Sequence, residues 1–343
     1  MTPLKMLKSP LWVADIALGG KSFRDNPIIG SRSLNERGFH IRRMAFAERM
    51  ADMRRRQMEH LLPADDRKFF HENGYVVRHN VLPADVFKAV QEELEQNEFA
   101  AREMKQGRTV TRFIGLTPAI LKKLPGLKAA VGADIFQQGL RYVASNNADP
   151  LVYLHTVLWD LDQKRKDPQT NFHSDTFHST AKAWLFLKDV ELADGPFQYV
   201  SGSHRLNEVR TKWEYEQSLT AATSRDSNHA VGSFRISEDQ MQQMGFEKPV
   251  SFAVPANTLV IADTHGFHAR GIATRPGLRV GLYGSVRRSP FLPWAGGDVR
   301  SLPGIKGYQT EIFGAYLDWR SKKGRGVSHV DVGKVKATDP AVR

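Results

Sequence analysis

The sequence predicts an α+β protein in which helices precede a barrel or double-sheet jelly roll of β-strands. Residues 41–61 are rich in helix formers and contain neither Gly nor Pro, which favours a helix there. From about Leu151 the chain changes to short apolar runs separated by Gly, Pro, Asp and Asn, a pattern typical of strands and turns. With 343 residues, the chain can bury the core of one large domain or of two small ones.

Residues 1–61 are predicted to form a basic N-terminal arm followed by a helix. Residues 1–40 mix Gly, Pro, Ser and Arg, which indicates irregular chain. Residues 41–61 carry apolar side chains at helical spacing, interrupted by Arg54 and Arg55. A basic helix can bind an anionic membrane surface, but packing against the following domain is the favoured interpretation. The apolar positions are Met44, Ala47, Met50, Met58 and Leu61.

Residues 62–300 are predicted to form the principal domain, and residues 301–343 a basic C-terminal extension. Asp65 begins a short helix that ends at Asn73-Gly74, and Pro83 opens another. Residues 205–250 are polar with few strand signals, which predicts a lid-like insertion at the mouth of the barrel. The predicted strands are Leu151–Trp159, Ala183–Val190, Gln198–Val200, Leu259–Ala262 and Leu278–Val286.

Composition excludes several classes of chemistry. There is no cysteine, so disulfides, thiolate metal sites, Fe–S clusters and cysteine nucleophiles are excluded, and a cytoplasmic location is expected. No run approaches the ~18 apolar residues of a transmembrane helix, although peripheral membrane contact stays open. The net charge of +12 favours anionic partners, but the basic residues are scattered and accompany no nucleic-acid-binding module. We therefore expect a small-molecule substrate and no nucleic acid, with the oligomeric state open.

Two clusters of histidine and carboxylate carry the clearest chemical signal. His173 and Asp175 lie two residues apart in a strand-like context, so both side chains would project from one face. A second cluster holds His265 and His268. Two histidines and one carboxylate on one side of an ion, with the other side open, are typical of non-haem Fe(II) sites. The alternative is that His173 and Asp175 have only a structural role, as a buried histidine hydrogen-bonded to a carboxylate.

The motifs around this pair resemble those of the phytanoyl-CoA dioxygenase (PhyH-like) family of Fe(II)/2-oxoglutarate-dependent oxygenases. After the H-x-D pair come a strand with Trp184, an Asp194-Gly195 turn and the turn Ser201-Gly202-Ser203-His204, in which serine replaces the family's usual proline. Upstream, Phe69–Val77 resembles the F-x-x-x-G-Y opening of the family. The resemblance runs from about Leu62 to Arg288. It implies a double-stranded β-helix (jelly-roll, cupin-like) core with flanking N-terminal helices.

The resemblance also implies the cofactors and the roles of individual residues. Fe(II) would be held by His173, Asp175 and a distal histidine, with 2-oxoglutarate and O2 as cosubstrates. The family places that histidine about ten residues before the arginine that binds 2-oxoglutarate. Arg279 follows His268 by 11 positions and His265 by 14, so His268 is chosen as the third ligand and His265 stays the alternative. Trp184 is expected to form a wall of the cosubstrate pocket.

Strand phase supports Arg279 independently of the resemblance. After the Pro276-Gly277 turn, Leu278, Val280, Leu282 and Val286 share one face, and Arg279, Gly281, Tyr283 and Ser285 share the other. The second face suits the interior of a barrel. A planar guanidinium can bind a carboxylate through two parallel hydrogen bonds, which lysine cannot do. Arg275 precedes the proline and is expected in the turn.

The reaction implied by the family is hydroxylation of a C–H bond in a small-molecule metabolite, with release of succinate and CO2. Desaturation, cyclisation or epoxidation on the same fold is the first alternative, and a non-catalytic binding protein on a degenerate barrel is a second. Halogenation is disfavoured because Asp175 occupies the place that a halide would need. A zinc hydrolase could use the same ligands but would not explain the ordered motifs. The metabolite could be lipid-linked, and the basic charge predicts an anionic substrate held by arginines such as Arg108, Arg112, Arg205 and Arg210. The alternative is that these arginines are surface residues that favour solubility.

Overall fold

The computed structural model describes residues 9–159 and 165–342. The first eight residues of the predicted arm and the last residue of the predicted extension lie outside this part of the chain. The division into residues 1–61, 62–300 and 301–343 remains a prediction. In the part that is described, the α-helices are α1 (Ser9–Ala17), α2 (Arg32–Glu36), α3 (Phe39–Gln57), α4 (Ala64–Asn73), α5 (Ala84–Gln96), α6 (Pro118–Leu121), α7 (Pro125–Gly132), α8 (Asp134–Val143), α9 (Glu208–Thr220), α10 (Ser227–Ala230), α11 (Glu238–Gln243) and α12 (Gln309–Lys322).

Two antiparallel sheets form the centre of the molecule. The major sheet has eight strands in the order β1-β8-β5-β10-β4-β3-β2-β11, and the minor sheet has three in the order β7-β6-β9. The strands are β1 (Tyr75–Arg78), β2 (Phe99–Gln106), β3 (Thr109–Gly115), β4 (Leu151–Trp159), β5 (Ala181–Phe186), β6 (Phe197–Tyr199), β7 (Val250–Ser251), β8 (Thr258–Asp263), β9 (His268–Arg270), β10 (Gly277–Val286) and β11 (Val330–Val335).

This arrangement confirms the predicted mixed fold with a jelly-roll core, although the described strands do not close into a barrel. The central strand β10 pairs with β4 on one side and β5 on the other. The five predicted strands are present with shifts at their ends. Strands β2, β3 and β11 were not predicted because charged residues, such as Arg102 and Glu103, interrupt their apolar pattern.

Strand β10 separates the hydrophobic core from the interior cavity. Val280, Leu282 and Val286 are buried in the main core, which also includes Phe136 and Leu140 of α8. At Gly284 a Cβ atom would lie 2.5 Å from Leu140 and 2.9 Å from Phe136, so only glycine lets the helix approach this closely. The opposite face of β10 is therefore free to carry polar side chains.

Helix α3 packs against the body of the protein, which was the favoured interpretation of its sequence. Its buried residues include Met44, Ala47 and Met50, and Arg54 is also buried, at 2% exposure. The Arg54 guanidinium donates to the carbonyl oxygens of Ser145, Pro290 and Leu292. Arg55 likewise donates to the carbonyl oxygen of Val143. The two arginines that interrupt the apolar pattern therefore donate hydrogen bonds to backbone carbonyl groups of neighbouring segments.

Region 205–250 contains the short helices α9, α10 and α11 and packs against the N-terminal helices α2 and α3. Glu214 of α9 accepts hydrogen bonds from Arg210, at 2.7 Å, and contacts His40 of α3, at 3.0 Å. All three side chains are buried. In the described part of the chain, no helix is long and apolar enough to cross a membrane.

Candidate metal centre

His173, Asp175 and His268 are brought together from two separate segments. His173 lies between β4 and β5, and backbone hydrogen bonds of 3.0 Å in each direction join it to His268 at the start of β9. The backbone N–H of Asp175 donates to the carbonyl oxygen of Thr264 at 2.9 Å. The loop that carries the H-x-D pair is thereby fixed against the segment that carries the distal histidine.

The three side chains have the geometry of a metal site. Each offers a ligand atom, and these atoms lie within 4.8 Å of one another. The Nε2 atoms of His173 and His268 are each 3.7 Å from Oδ1 of Asp175, and the two ring centroids are 4.4 Å apart. Nε2 of His268 is buried without a hydrogen-bond partner among the described residues. An ion between the three atoms would satisfy it.

Hydrogen bonds to backbone carbonyls fix the orientation of both imidazoles. Nδ1 of His173 lies 2.8 Å from the Asn171 oxygen, and Nδ1 of His268 lies 2.9 Å from the Gly266 oxygen. A carbonyl only accepts, so each Nδ1 carries the hydrogen and each Nε2 presents a lone pair. Burial lowers the pKa of His268 to about 4 and that of His173 well below its usual value. Both rings are therefore neutral near pH 7, as metal ligands must be.

Lys182 of β5 holds the second oxygen of the Asp175 carboxylate. Its Nζ lies 2.6 Å from Oδ2, while Oδ1 faces the histidines. Burial alone would raise the pKa of Asp175, but the charge of Lys182 is the main cause that opposes it, together with the hydrogen bond from Lys182, and the pKa lies well below the usual value. The carboxylate is therefore ionised and directed toward the two imidazoles. Sequence reasoning did not assign Lys182 this position, although its phase with Trp184 placed both on one strand face.

His173 and His268 line a cavity of about 210 Å³. Its walls come from both sheets, and the face of β5 that carries Lys182, Trp184 and Phe186 lines it. Trp184 packs on Phe197 with ring centroids 4.3 Å apart. Trp184, expected as a pocket wall, thus lies in the cavity that adjoins the three side chains.

Arg279 enters the same cavity from β10, and part of its guanidinium has no partner among the described residues. Arg279, Gly281 and Tyr283 line the cavity, so the strand phase is the predicted one. The Arg279 side chain is 9% exposed, and its Nε has no hydrogen-bond partner among the described residues. Burial and the neighbouring Arg270 lower the pKa of Arg279 to about 9, so it remains charged near pH 7. A buried charge of this kind fits an anionic ligand that is not part of the chain.

The other two arginines nearby are already paired. Arg275 binds both carboxylate oxygens of Asp194, at 2.7 and 2.9 Å, and lies 3.0 Å from Glu191. Arg270 also lines the cavity, but its Nη1 lies 2.6 Å from the buried carboxylate of Asp167. Among the described residues, both guanidinium groups therefore have a carboxylate partner, whereas no carboxylate lies in ion-pair contact with Arg279.

His265 faces a different cavity, of about 350 Å³, together with His178 and His204. Its Nδ1 lies 2.9 Å from the Thr176 oxygen. His178, His204 and His265 therefore share a cavity that is separate from the one lined by His173 and His268. In strand β4, His155 lines the first cavity, whereas Trp159 donates to the carbonyl oxygen of Arg275 and does not line that cavity.

Two of the four arginines expected to hold the substrate are structural instead. Arg112 is fully buried, binds Glu103 at 2.6 Å and donates to backbone oxygens of the C-terminal segment, including those of Lys336 and Pro340. Arg210 is fully buried and bound to Glu214. The expectation was wrong for this pair because strand and helix phase turn both inward. Arg205 lines the second cavity, and Arg108 donates to the Ala273 oxygen.

Cations that the sequence did not single out surround Asp175. Nζ of Lys21 donates to the backbone oxygen of Asp175 at 2.5 Å, and Arg235 forms an isolated β-bridge with His173. Burial is the main cause that lowers the pKa of Lys21 to about 8, with contributions from Arg287, Lys182 and Arg235. No local motif could have identified Lys21, because it lies 154 positions from Asp175.

A jelly-roll core with a His-Asp-His cluster beside an arginine-lined cavity defines the class of non-haem iron oxygenases. The model of the phytanoyl-CoA dioxygenase (PhyH) family matches residues 70–244, about half of the chain, and the protein belongs to that family. The expectation of an oxidoreductase that uses iron, 2-oxoglutarate and O2 is confirmed at the level of this family. The matched range includes His173 and Asp175 and ends before His268 and Arg279.

Solved structures similar to this chain are distant. The carbocyclase SnoK from nogalamycin biosynthesis is 21% identical, with 65% of this chain and 83% of that chain covered and a TM-score of 0.40. The epimerase SnoN, solved with Fe3+, alpha ketoglutarate and nogalamycin RO, is 17% identical, with coverages of 69% and 92% and a TM-score of 0.43. HygX from Streptomyces hygroscopicus, with nickel and 2-oxoglutarate bound, is 17% identical, with coverages of 72% and 94% and a TM-score of 0.40. No curated protein matches the chain.

Proposed function

We propose that His173, Asp175 and His268 hold Fe(II) and that the enzyme hydroxylates a C–H bond of a small anionic metabolite, releasing succinate and CO2. The observation that carries the proposal is the convergence of three ligand atoms within 4.8 Å, near a cavity lined by an arginine whose Nε has no hydrogen-bond partner among the described residues. Bound iron would supply the activation of O2. Side chains of this protein would bind the cosubstrate, orient the metal ligands and exclude water.

Each side chain has a separate task in this proposal. Arg279 would bind the far carboxylate of 2-oxoglutarate, since its guanidinium is buried and the neighbouring arginines are already paired. Lys182 would keep Oδ1 of Asp175 directed at the ion by holding Oδ2 at 2.6 Å. Trp184 and Phe197 would exclude water from the cosubstrate, because their packed rings form an apolar wall of the cavity.

The experiment is an anaerobic reconstitution with Fe(II) followed by addition of 2-oxoglutarate, ascorbate and oxygen. Wild-type protein should form succinate, and Asp175→Ala should form none while keeping its melting temperature within a few degrees. An Asp175→Ala variant with near wild-type succinate formation would overturn the metal assignment. A candidate substrate that gains one oxygen atom indicates hydroxylation, whereas loss of two hydrogens indicates desaturation.

The charge around the centre supports an anionic substrate. Fe(II), doubly ionised 2-oxoglutarate and ionised Asp175 would together carry a net charge of −1. Lys182, Arg279, Lys21 and Arg235 add positive charge, and the nearest acidic partner of Arg235 is Asp226, at 4.0 Å. An anion on the substrate would offset this excess.

A substrate screen should therefore favour carboxylates and phosphates over matched neutral compounds. For a substrate so found, Lys21→Gln should raise KM by about tenfold, because a charge-assisted contact is worth roughly 1.5–3 kcal/mol. Arg205→Gln, in the second cavity, is the matched control and should leave KM unchanged. A neutral substrate whose turnover is insensitive to ionic strength would contradict the anionic assignment and leave the metal assignment intact.

A further inference from the structure

Helix α12 exposes a continuous stripe of large apolar side chains. Tyr308, just before the helix, and Ile312, Tyr316 and Trp319 within it are 39–51% exposed. Their spacings of 4, 4 and 3 residues match the 3.6-residue turn, so they lie on one side of the helix. We call these four residues the aromatic stripe. It is distant in sequence from every residue assigned to the metal centre.

The aromatic stripe is not needed to dock the helix. Leu317 is the residue of α12 that is buried, at 5% exposure. Asp318 accepts a hydrogen bond from Arg102 of β2 at 2.6 Å, and Thr310 packs against Gly115 of β3. At about 100° per residue, Leu317 and Thr310 lie on the side of the helix opposite the stripe, and Asp318 lies between the two sides. The stripe therefore faces away from the protein.

Positive charge lies at the C-terminal end of the stripe. Arg320, Lys322, Lys323 and Arg325 follow Trp319 closely in sequence. The Arg320 guanidinium is 5.9 Å from the Tyr316 ring centroid, and that of Arg325 is 5.5 Å from the ring of Trp319. The acidic residues of the helix, Glu311 and Asp318, lie about a quarter turn from the stripe, and Asp318 is paired with Arg102.

We propose that the aromatic stripe docks on a membrane surface that carries anionic lipid headgroups. Tyrosine and tryptophan are suited to the interface between water and acyl chains, and adjacent lysine and arginine side chains bind anionic headgroups. Charge decides against a second copy of the chain, because each copy carries a net charge of +12 and would present the same cations. Four residues on one helix also present less than the ~800 Å² per partner of a standard protein interface.

The test is co-sedimentation of the full-length protein with vesicles of phosphatidylcholine alone or mixed with phosphatidylglycerol. Wild-type protein should bind the anionic vesicles and bind the neutral ones at least about tenfold more weakly. Tyr316→Ser/Trp319→Ser should weaken binding to anionic vesicles by at least about tenfold through loss of buried apolar area. Lys322→Glu/Lys323→Glu should do the same through charge, and added salt should weaken the wild type.

Two matched control variants test whether vesicle binding depends on this surface or on any exposed apolar side chain or lysine pair. Lys122→Glu/Lys123→Glu changes the same charge at another exposed lysine pair, and Leu192→Ser removes a side chain that is 67% exposed elsewhere. Both should bind as the wild type does. Absence of wild-type binding, or equal losses in the controls, would overturn the proposal. So would a concentration-dependent dimer, seen by light scattering, that Trp319→Ser abolishes without any vesicle binding.

Discussion

His265 and His268 are three residues apart, yet they face different cavities. His268 directs Nε2 toward Asp175, whereas His265 lies with His178 and His204 behind the centre. The direction of each ring is set by the carbonyl that its Nδ1 contacts, Gly266 for one and Thr176 for the other. A spacing argument alone could not separate these alternatives.

We expect His268→Ala to weaken metal binding much more than His265→Ala does. Loss of one of three ligands should lower the metal affinity by at least about tenfold. Even residues that only orient a ligand lower the affinity by about this factor when they are replaced. The measurement is anaerobic calorimetric titration with Fe(II) at pH 7.5, with Co(II) as a redox-stable check. If His265→Ala alone abolishes binding, the two histidines must be exchanged in the assignment.

Arg279→Lys should raise the KM for 2-oxoglutarate by about ten- to a hundredfold, because one ammonium cannot make the paired hydrogen bonds of a guanidinium. Arg275 is the matched control, since it lies on the surface side of the same turn and is held by Asp194 and Glu191. Arg275→Lys should change this KM by less than about threefold. Equal effects at the two positions would exclude Arg279 as the specific carboxylate ligand.

At the scale of elements, the C-terminal segment is fastened to the major sheet by a buried arginine. Strand β11 pairs with β2, and Arg112 of β3 donates to backbone oxygens between Lys336 and Pro340. Its other partner is the carboxylate of Glu103, which is also fully buried. The segment that composition alone marked as a basic extension is therefore bonded to the core sheet.

Arg112→Met should lower the free energy of unfolding by about 3–5 kcal/mol, because it breaks a fully buried ion pair and the hydrogen bonds from Arg112 to the C-terminal backbone oxygens. Limited proteolysis should then cut the chain near residues 325–342 sooner than in the wild type. Arg102→Met is the control, since Arg102 pairs with the half-exposed Asp318 and should cost about 1 kcal/mol or less. Similar small losses for both variants would show that Arg112 does not hold this segment.

At the scale of the whole molecule, buried histidines couple stability to pH. Burial is the main cause that lowers the pKa of His155, to about 3, and it also lowers the pKa of His178, His204 and His265. In the unfolded chain each would bind a proton near pH 6.5. The unfolded state therefore takes up more protons as the pH falls, so the free energy of unfolding must decrease.

Denaturant unfolding with chelator present should show this decrease between about pH 7 and pH 5, above the range in which most carboxylates titrate. Each buried neutral histidine contributes at most about 1.4 kcal/mol per pH unit. His178→Asn should reduce the slope of the unfolding free energy against pH, whatever its effect on the absolute value. A wild-type curve that is flat across this interval would contradict the assignment of neutral buried histidines.

The sequence by itself determined the α+β class, the main strands of the sheet, the family motifs and the face of β10 that carries Arg279. These features follow from local periodicity and turn chemistry, which the neighbouring residues of a segment fix. Tertiary structure decided which histidine joins Asp175, that Lys182 holds its second oxygen, and that Arg112 and Arg210 face inward. It also brought Lys21 to Asp175 across 154 positions and turned the aromatic stripe of α12 outward. Such contacts join segments far apart in the chain, so no pattern within one segment encodes them.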